Sequence, residues 1–465
     1  MDVKINLPMQ VQYILNTLNN NGYEAYVVGG CVRDSLLGVN PKDWDICTSA
    51  KPEEIIEVFK GNKIIPTGLK HGTITLVIGI NQYEITTYRV DGLYSDGRHP
   101  DNVEFVSNLE EDLSRRDFTI NAMAYSHAKG LIDLFGGEND LKNRVIKCVG
   151  NAKDRFAEDA LRMLRAYRFA ARYGFKIDGE IKGAIEDCCE LIKNISIERI
   201  QSEAQQVIGK LHLEREVYIS SDFYGVNIPL FDEIMLGVLE LLCIRLDIKI
   251  DMCILVNLVM ELIYCPEFIH ERVAYILHYI QQKCKIKPED IIDKLKVSNY
   301  FSDCVHKVLY VGDTIISEFP NWRVLKTDRP EEFERKSACK NPELRYKMRK
   351  YLRLIGNDKE LLRSVFNYIL AINYTESEFA KDDIFLANIS LMQDKIFDLF
   401  DNEGVYDVKY LALNGNDLME LGYSGKQIGG ALAYLLDMVM RGTVKNTKPE
   451  LIKLLRTEKT NLKIL

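Results

Sequence analysis

The chain has 465 residues, a formal net charge of −8, 47% hydrophobic and 28% charged residues, which leaves room for about three domains of ordinary soluble composition. Its most apolar stretch, CILVNLVMELIYC (253–265), is broken by Asn257 and Glu261, so no run is long enough to cross a bilayer, and MDVKINLPMQ lacks the basic-then-apolar pattern of a secretory signal. The 11 cysteines are scattered without a CxxC, and the 7 histidines form no HExxH. That pattern argues against a disulfide framework and a zinc site, and for reduced thiols in a cytoplasmic protein.

In chain order, PMQVQYILNTLNNNG has helical periodicity and ends at Gly22, a glycine C-cap. EAYVVGG reads as a buried strand closing on Gly29 and Gly30, CVRDSLLG as a short helix stopped at Gly38, and DWDICT as extended. GTITLVIGINQYEITTYRV reads as two strands joined by a turn at Asn81–Gln82. RRDFTINAMAYS reads as a helix start, and EDALRMLRAYRF (158–169) as a helix carrying Asp159, Arg162 and Arg165 at three-residue steps. Beyond about residue 140 strand signals nearly vanish, so the expectation is an α/β head followed by a long all-α remainder. Charge is uneven in that remainder: ten Lys/Arg against three Asp/Glu over 335–363, and six against two from Lys445 to the end. Local patches of this kind, more than the average, decide whether a polyanion is held.

Several of these residues suit one chemistry. Glycines between a strand and a helix let backbone approach a phosphate, and the helix N-terminus offers it free N–H groups; Arg33 lies one turn in. On a strand, Asp43 and Asp45 share a face, and two such close carboxylates invite a hard divalent cation such as Mg²⁺. A third acid would complete a two-metal arrangement. Glu84 is the best candidate, or else a residue on an exposed strand face; Asp117 competes, or caps the helix it starts. Arg116 can hold a triphosphate bidentately. The acid and arginines of 158–169 read either as a wet face of ion pairs or as an edge that recognises a base. An Asp acceptor beside an Arg donor matches the amino group and bare ring nitrogen of cytosine or adenine, and repels uracil and guanine. Asp159 and Arg162 would be that edge, with Glu158 orienting Arg162. Arg165 and Arg168 could meet phosphates; Arg172 has no assignable role.

The motifs GGCVRD, DWDI, TGLKHGTITLVI, YEITTYRVDGLYSDGRHP, RRDFTINAMA, LIDLFGG, EDALRMLRAYRFAARYGF and NISIERIQSE, in this order over about 22–205, resemble the class II tRNA nucleotidyltransferases, the bacterial CCA-adding enzymes and their poly(A) polymerase relatives. A fainter likeness returns in LALNGNDLMELGYSGKQIGGAL (411–432). The resemblance implies a polymerase-β-like nucleotidyltransferase head with a small mixed sheet (1–140), a base-recognising neck (141–210), a helical body (211–350) and a helical, tRNA-binding tail (351–465). It implies addition of C, C and A to a tRNA 3′ end from CTP and ATP. It places metal-binding acids on Asp43 and Asp45, and nucleotide-binding positions on Gly30, Arg33, Arg116, Asp159, Arg162, Arg165 and Arg168. TGLKHGTITL and a full-length loop at 89–105 look like the complete CCA-adding branch. His99 departs from the pattern, standing where the family usually has a second arginine.

Overall fold

The computed structural model describes residues 4–92, 103–208, 230–250, 258, 269–318, 342–356, 358–376, 393–394, 396–401 and 407–458. His99 and most of its loop lie outside the described residues, as do residues 335–341 of the first basic stretch. The chain folds into two compact units, Met1–Met260 with Asp293–Lys296, and Glu261–Ile292 with Val297–Leu465.

The first unit opens with α1 (Met9–Asn20), β1 (Ala25–Val28), α2 (Gly30–Leu36), β2 (Ile46–Thr48), α3 (Pro52–Val58), β3 (Lys63–Gly68), β4 (Thr73–Ile78) and β5 (Asn81–Thr87). There follow β6 (Arg89–Asp91), β7 (Val103–Phe105), α4 (Leu109–Ser114), β8 (Met123–Ser126), β9 (Gly130–Asp133) and α5 (Gly137–Asn143). Seven strands make one sheet in the order β3-β4-β5-β2-β1-β8-β9. The β2–β5 pair is parallel and its neighbours antiparallel, so the sheet is mixed. Strand alternation divides its residues between two faces. Ile74, Leu76 and Ile85 are fully buried on one, the side against which α3 packs. On the other, Tyr26, Val28, Cys47 and Ala124 form a core with Leu109 and Leu113 of α4.

Helices then take over: α6 (Ala152–Glu158), α7 (Leu161–Tyr173), α8 (Gly179–Cys188), α9 (Ile197–Ile208) and α10 (Leu230–Leu246). Two-residue strands β10 (Val145–Ile146) and β11 (Lys176–Ile177) pair in parallel among them. A glycine notch seats α10 on α7: a Cβ at Gly237 would lie 2.2 Å from the Tyr167 ring.

Three local expectations are corrected. The β4–β5 turn is Gly79–Ile80, with Asn81 and Gln82 already paired to Ile78 and Val77; Gly79 takes φ +63°, which a hairpin turn asks for. RRDFTINAMAYS starts no α-helix: a 3₁₀ turn (Thr119–Asn121) leads into β8, every residue of which is buried. The segment 158–169 is not one helix, because the chain breaks at Asp159, whose φ of −146° and ψ of 101° are extended. The break is held by Asp159 itself, whose carboxylate accepts from Leu161 N at 3.1 Å and from Arg199 Nη2 at 2.7 Å.

In the second unit the described residues are helical: α11 (Ile269–Cys284), α12 (Pro288–Leu295, which crosses the division), α13 (Asn299–Glu318), α14 (Pro342–Ile355), α15 (Lys359–Glu376), α16 (Gly415–Glu420), α17 (Lys426–Met440) and α18 (Lys448–Glu458). α11, α13 and α15 pack together. Tyr368 of α15 sits in a notch at Gly312 of α13, where a Cβ would stand 2.4 Å from its ring. Its hydroxyl donates to Asp313 Oδ1 at 2.7 Å and lies 3.0 Å from His278 Nδ1. Leu435, Leu436, Leu451 and Leu455 form a separate core for α17 and α18. Tyr346 of α14 joins that core by donating to Asp437 at 2.5 Å, under the Arg441 guanidinium 4.2 Å from its ring centroid. Among the described residues no helix is long and apolar enough to cross a membrane.

Candidate functional site

Three acids lie near the start of β2 and beside it on β5. Asp43 and Asp45 lie just before β2, outside the strand, but Val28 N donates to Asp45 O at 3.0 Å and extends the β1–β2 pairing to that residue. The parallel register Ile46↔Ile85 sets Asp45 beside Glu84. All three are exposed, and none has a hydrogen-bonded or ion-paired side-chain partner among the described residues. Crowding by surrounding protein lifts the Asp45 carboxyl above the ordinary carboxylate range; Glu84 pushes it further, Arg116 opposes, and Asp43 adds to the rise. Among the described residues no three or more His, Cys, Asp or Glu close into a metal cage. The donor set is an open one of hard oxygens, and the pair Asp43–Asp45 fits a divalent cation that keeps other positions for ligands.

Beside the acids, the strand-to-helix turn depends on Gly29. Its φ of 77° and ψ of −125° suit only glycine, and a Cβ there would stand 3.0 Å from Arg116 Nη1. Gly30 is the first residue of α2. Arg116 is tethered by Asp112 at 3.3 Å, and its Nε is buried without a hydrogen-bond partner. Asp112 is fully buried. Burial opposes its charge, yet Arg116 and Arg115 hold its carboxyl below the usual range. Behind Asp45, burial pushes the Cys31 thiol up to about 12, so the site holds no thiolate there at neutral pH.

Arg33 does not face the opening. It is 4% exposed, donates to Asp34 Oδ1 from Nε at 2.9 Å and Nη2 at 2.7 Å, and gives Nη1 to Asn121. Asp117 is no helix cap and no metal ligand in this arrangement. Its Oδ1 accepts from Phe118 N and Asn121 Nδ2 at 2.8 and 3.0 Å, and its Oδ2 from Arg165. Burial would raise its pKa, but Arg165, Asn121 and Arg162 outweigh it and bring the carboxyl to about 2.

The neck wall is a set of fixed pairs. Arg162 donates to Glu158 Oε2 at 2.5 Å, to Arg155 O at 3.1 Å and to Arg115 O at 3.3 Å, and Arg155 holds the other Glu158 oxygen at 2.6 Å. A guanidinium has five donors, and these bonds use three of those on Arg162. Asp159 accepts from Arg199 at 2.7 and 3.3 Å and from Leu161 N. That leaves about one of its four acceptor positions open. Arg165 pairs with Asp117 at 2.7 Å and Glu203 at 3.6 Å. Arg168, 9% exposed, is committed to Glu203, and Arg172 lies 3.6 Å from Asp34. The structure therefore encloses Arg162, at 8% exposed, as deeply as Arg168, and takes Arg33 into the interior with them, while Asp159 stays half-buried. Sequence reasoning missed Arg199, Glu203 and Arg155. The first two stand one turn apart in NISIERIQSE, an i,i+4 pair that could have been matched to the charges of α7.

Residues 25–147 match the family model described as the Poly A polymerase head domain, and residues 174–215 one described as a probable RNA and SrmB-binding site of polymerase A. The chain is similar to the CCA-adding enzyme of Oceanobacillus iheyensis, 47% identical over 219 residues, 47% of this chain and 54% of that one. It is also similar to that of Lactobacillus delbrueckii, 52% identical over 202 residues, 43% and 50% of the two. The chain thus spans about half the length of the curated relatives it matches. Among solved structures it is similar to the Bacillus stearothermophilus CCA-adding enzyme in complex with CTP, with a TM-score of 0.68 and 28% identity over 98% of this chain and 100% of that one. The Thermotoga maritima CCA-adding enzyme complexed with tRNA shares the fold at a TM-score of 0.56, 20% identical over 96% and 94%. A mixed-sheet head carrying an open acidic pair, followed by helices rich in arginine, is thus similar to the Poly A polymerase head domain over residues 25–147 and to CCA-adding enzymes in fold.

Proposed function

We propose that the protein adds C, C and A to the 3′ end of a tRNA, using CTP and ATP and releasing pyrophosphate. The observation that carries this is the set of carboxylates of Asp43, Asp45 and Glu84, unpaired among the described residues, beside the Gly29–Gly30 turn. Exposed acids beside a glycine strand-to-helix turn suit nucleotidyl transfer better than a structural role. Asp43 and Asp45 would hold Mg²⁺, which when bound neutralises charge on the phosphate and favours the ionised hydroxyl. Glu84 adds negative charge to the same floor. Arg116 and the α2 N-terminus at Gly30 bind the triphosphate, Arg165 adds positive charge, and Arg33 and Arg168 brace the wall from behind. Asp159, steadied by Arg199, and Arg162, steadied by Glu158, accept cytosine or adenine. Uracil or guanine would bring acceptor against acceptor at about 1–3 kcal/mol. The terminal hydroxyl attacks the α-phosphorus directly, the bond from that phosphorus to pyrophosphate breaks, and no covalent enzyme intermediate forms. The scattered cysteines, free wherever described, suit a cytoplasmic setting.

The test is a tRNA lacking its last three residues, incubated with each labelled nucleotide. Three added residues, from CTP and ATP only, are expected. No incorporation would overturn the reading, and a long run of A would move the protein to the polyadenylating branch.

A further inference from the structure

The arginines of the neck share an uncharged neighbour as well as their carboxylates. The guanidinium carbons of Arg168, Arg33 and Arg165 lie 4.1, 5.2 and 5.5 Å from the centroid of the Phe169 ring. Tyr173 is stacked on Phe169 at 6.2 Å and 11°, and takes Arg33 again at 4.9 Å and Arg172 at 5.1 Å. Phe118 closes the column edge-on at 5.7 Å. Carboxylates hold these cations by their edges, and Arg165 is held most closely by Asp117, from Nε at 2.9 Å and Nη2 at 2.7 Å. Glu203 is shared by Arg165 and Arg168, and Asp34 by Arg33 and Arg172. Each carboxylate fixes an edge of a guanidinium, whereas an aromatic face attracts a cation and sets its plane. Phe169 is 4% exposed, so its ring acts through these neighbours. Of the three guanidiniums on it, Arg165 is the open one, with 32% of its side chain exposed against 5% for Arg33 and 11% for Arg168.

We propose that Phe169 is a positioning residue for nucleotide binding: its ring face, backed by Tyr173, racks the neck guanidiniums so that Arg165 keeps its exposed edge toward the phosphates of the incoming nucleoside triphosphate. The proposal rests on the nucleotidyltransfer reading above. It assigns the ring's electrons a role separate from filling space, and that separation is what the experiment reads.

Phe169 is replaced by phenylalanines carrying one, two and three ring fluorines, which drain the π-face while nearly preserving shape, and by leucine. CMP transfer from CTP to the shortened tRNA gives KM and kcat, titration of the protein with CTP alone gives Kd, and a melt gives Tm. KM and Kd for CTP should climb stepwise with fluorine to about fivefold, with kcat and Tm nearly constant, and Phe169→Leu should match or exceed the last step. Flat KM and Kd across the fluorine series would overturn the proposal even if the leucine variant is impaired, because packing alone then explains the ring. Failure of the unmodified protein to transfer CMP or bind CTP would instead overturn the nucleotidyltransfer reading.

Discussion

At the sheet end, Asp43, Asp45 and Glu84 have no cationic side chain bonded to them among the described residues; in the neck, Glu158, Asp159 and Glu203 are each held by arginines. Both regions are rich in charge, and they use it differently. An exposed acid cluster without partners carries repulsion that a bound cation relieves, so its cost is tied to binding. A network of buried pairs does the opposite, spending its charges on one another to fix where the few remaining donors and acceptors point.

Substituting the floor should therefore cost activity and spare stability. Asp45→Ala is expected to lower CMP transfer by about 10³-fold or more, with Tm unchanged or raised as a repulsion disappears. Transfer within about tenfold of the unsubstituted protein would end the idea of a metal-holding floor. In the wall the expectation reverses. Asp117→Ala removes a buried carboxylate from a half-exposed partner, Arg165, and should cost about 1–3 kcal/mol in denaturant unfolding. The Asp117 carboxyl is brought to about 2 in the fold, against about 3.9 when unfolded. Its contribution is fully present above about pH 4 and is lost as pH falls toward about 2. The stability gap between the unsubstituted protein and Asp117→Asn should close over that window, and a gap independent of pH would show that the charge is not what stabilises. Between these extremes, Glu84→Gln should slow transfer by about 10–100-fold if its charge serves the floor; an unchanged rate would leave Asp43 and Asp45 alone there. Smallest, Arg199→Ala should lower the preference for CTP over UTP, measured as kcat/KM, by about tenfold, because Asp159 loses its tether. An unchanged ratio would show that Asp159 needs none.

How much of this was legible in the sequence depended on how local each signal is. Gly22, Gly29 and Gly38 marked real backbone reversals, each at positive φ, because glycine's freedom is a property of one residue. The segment 123–126 was misread because it is buried throughout, and a buried run shows neither the helical nor the strand period. The break at Asp159 has no glycine or proline to announce it, and one of the two partners that hold it, Arg199, is forty residues away in the chain. The hairpin at Gly79–Ile80 was missed by two residues, since the register of β4 on β5 places the turn and Asn81 only resembles a turn residue. For the site, the acids and glycines were found because their chemistry is written in adjacent residues. The interior positions of Arg33 and Arg168 were not, since nothing in a run of arginines says which will meet Asn121 or Glu203.

The tyrosine notches at Gly237 and Gly312 bear on any attempt to engineer a hardier protein. Both glycines lie inside helices, where exchange for alanine ordinarily gains about 0.5–1 kcal/mol. At both, the added methyl would meet a tyrosine ring at 2.2 to 2.4 Å, and overpacking of that kind costs about 1–3 kcal/mol. A routine thermostabilising exchange would loosen the joint of α7 with α10 in one unit and of α13 with α15 in the other.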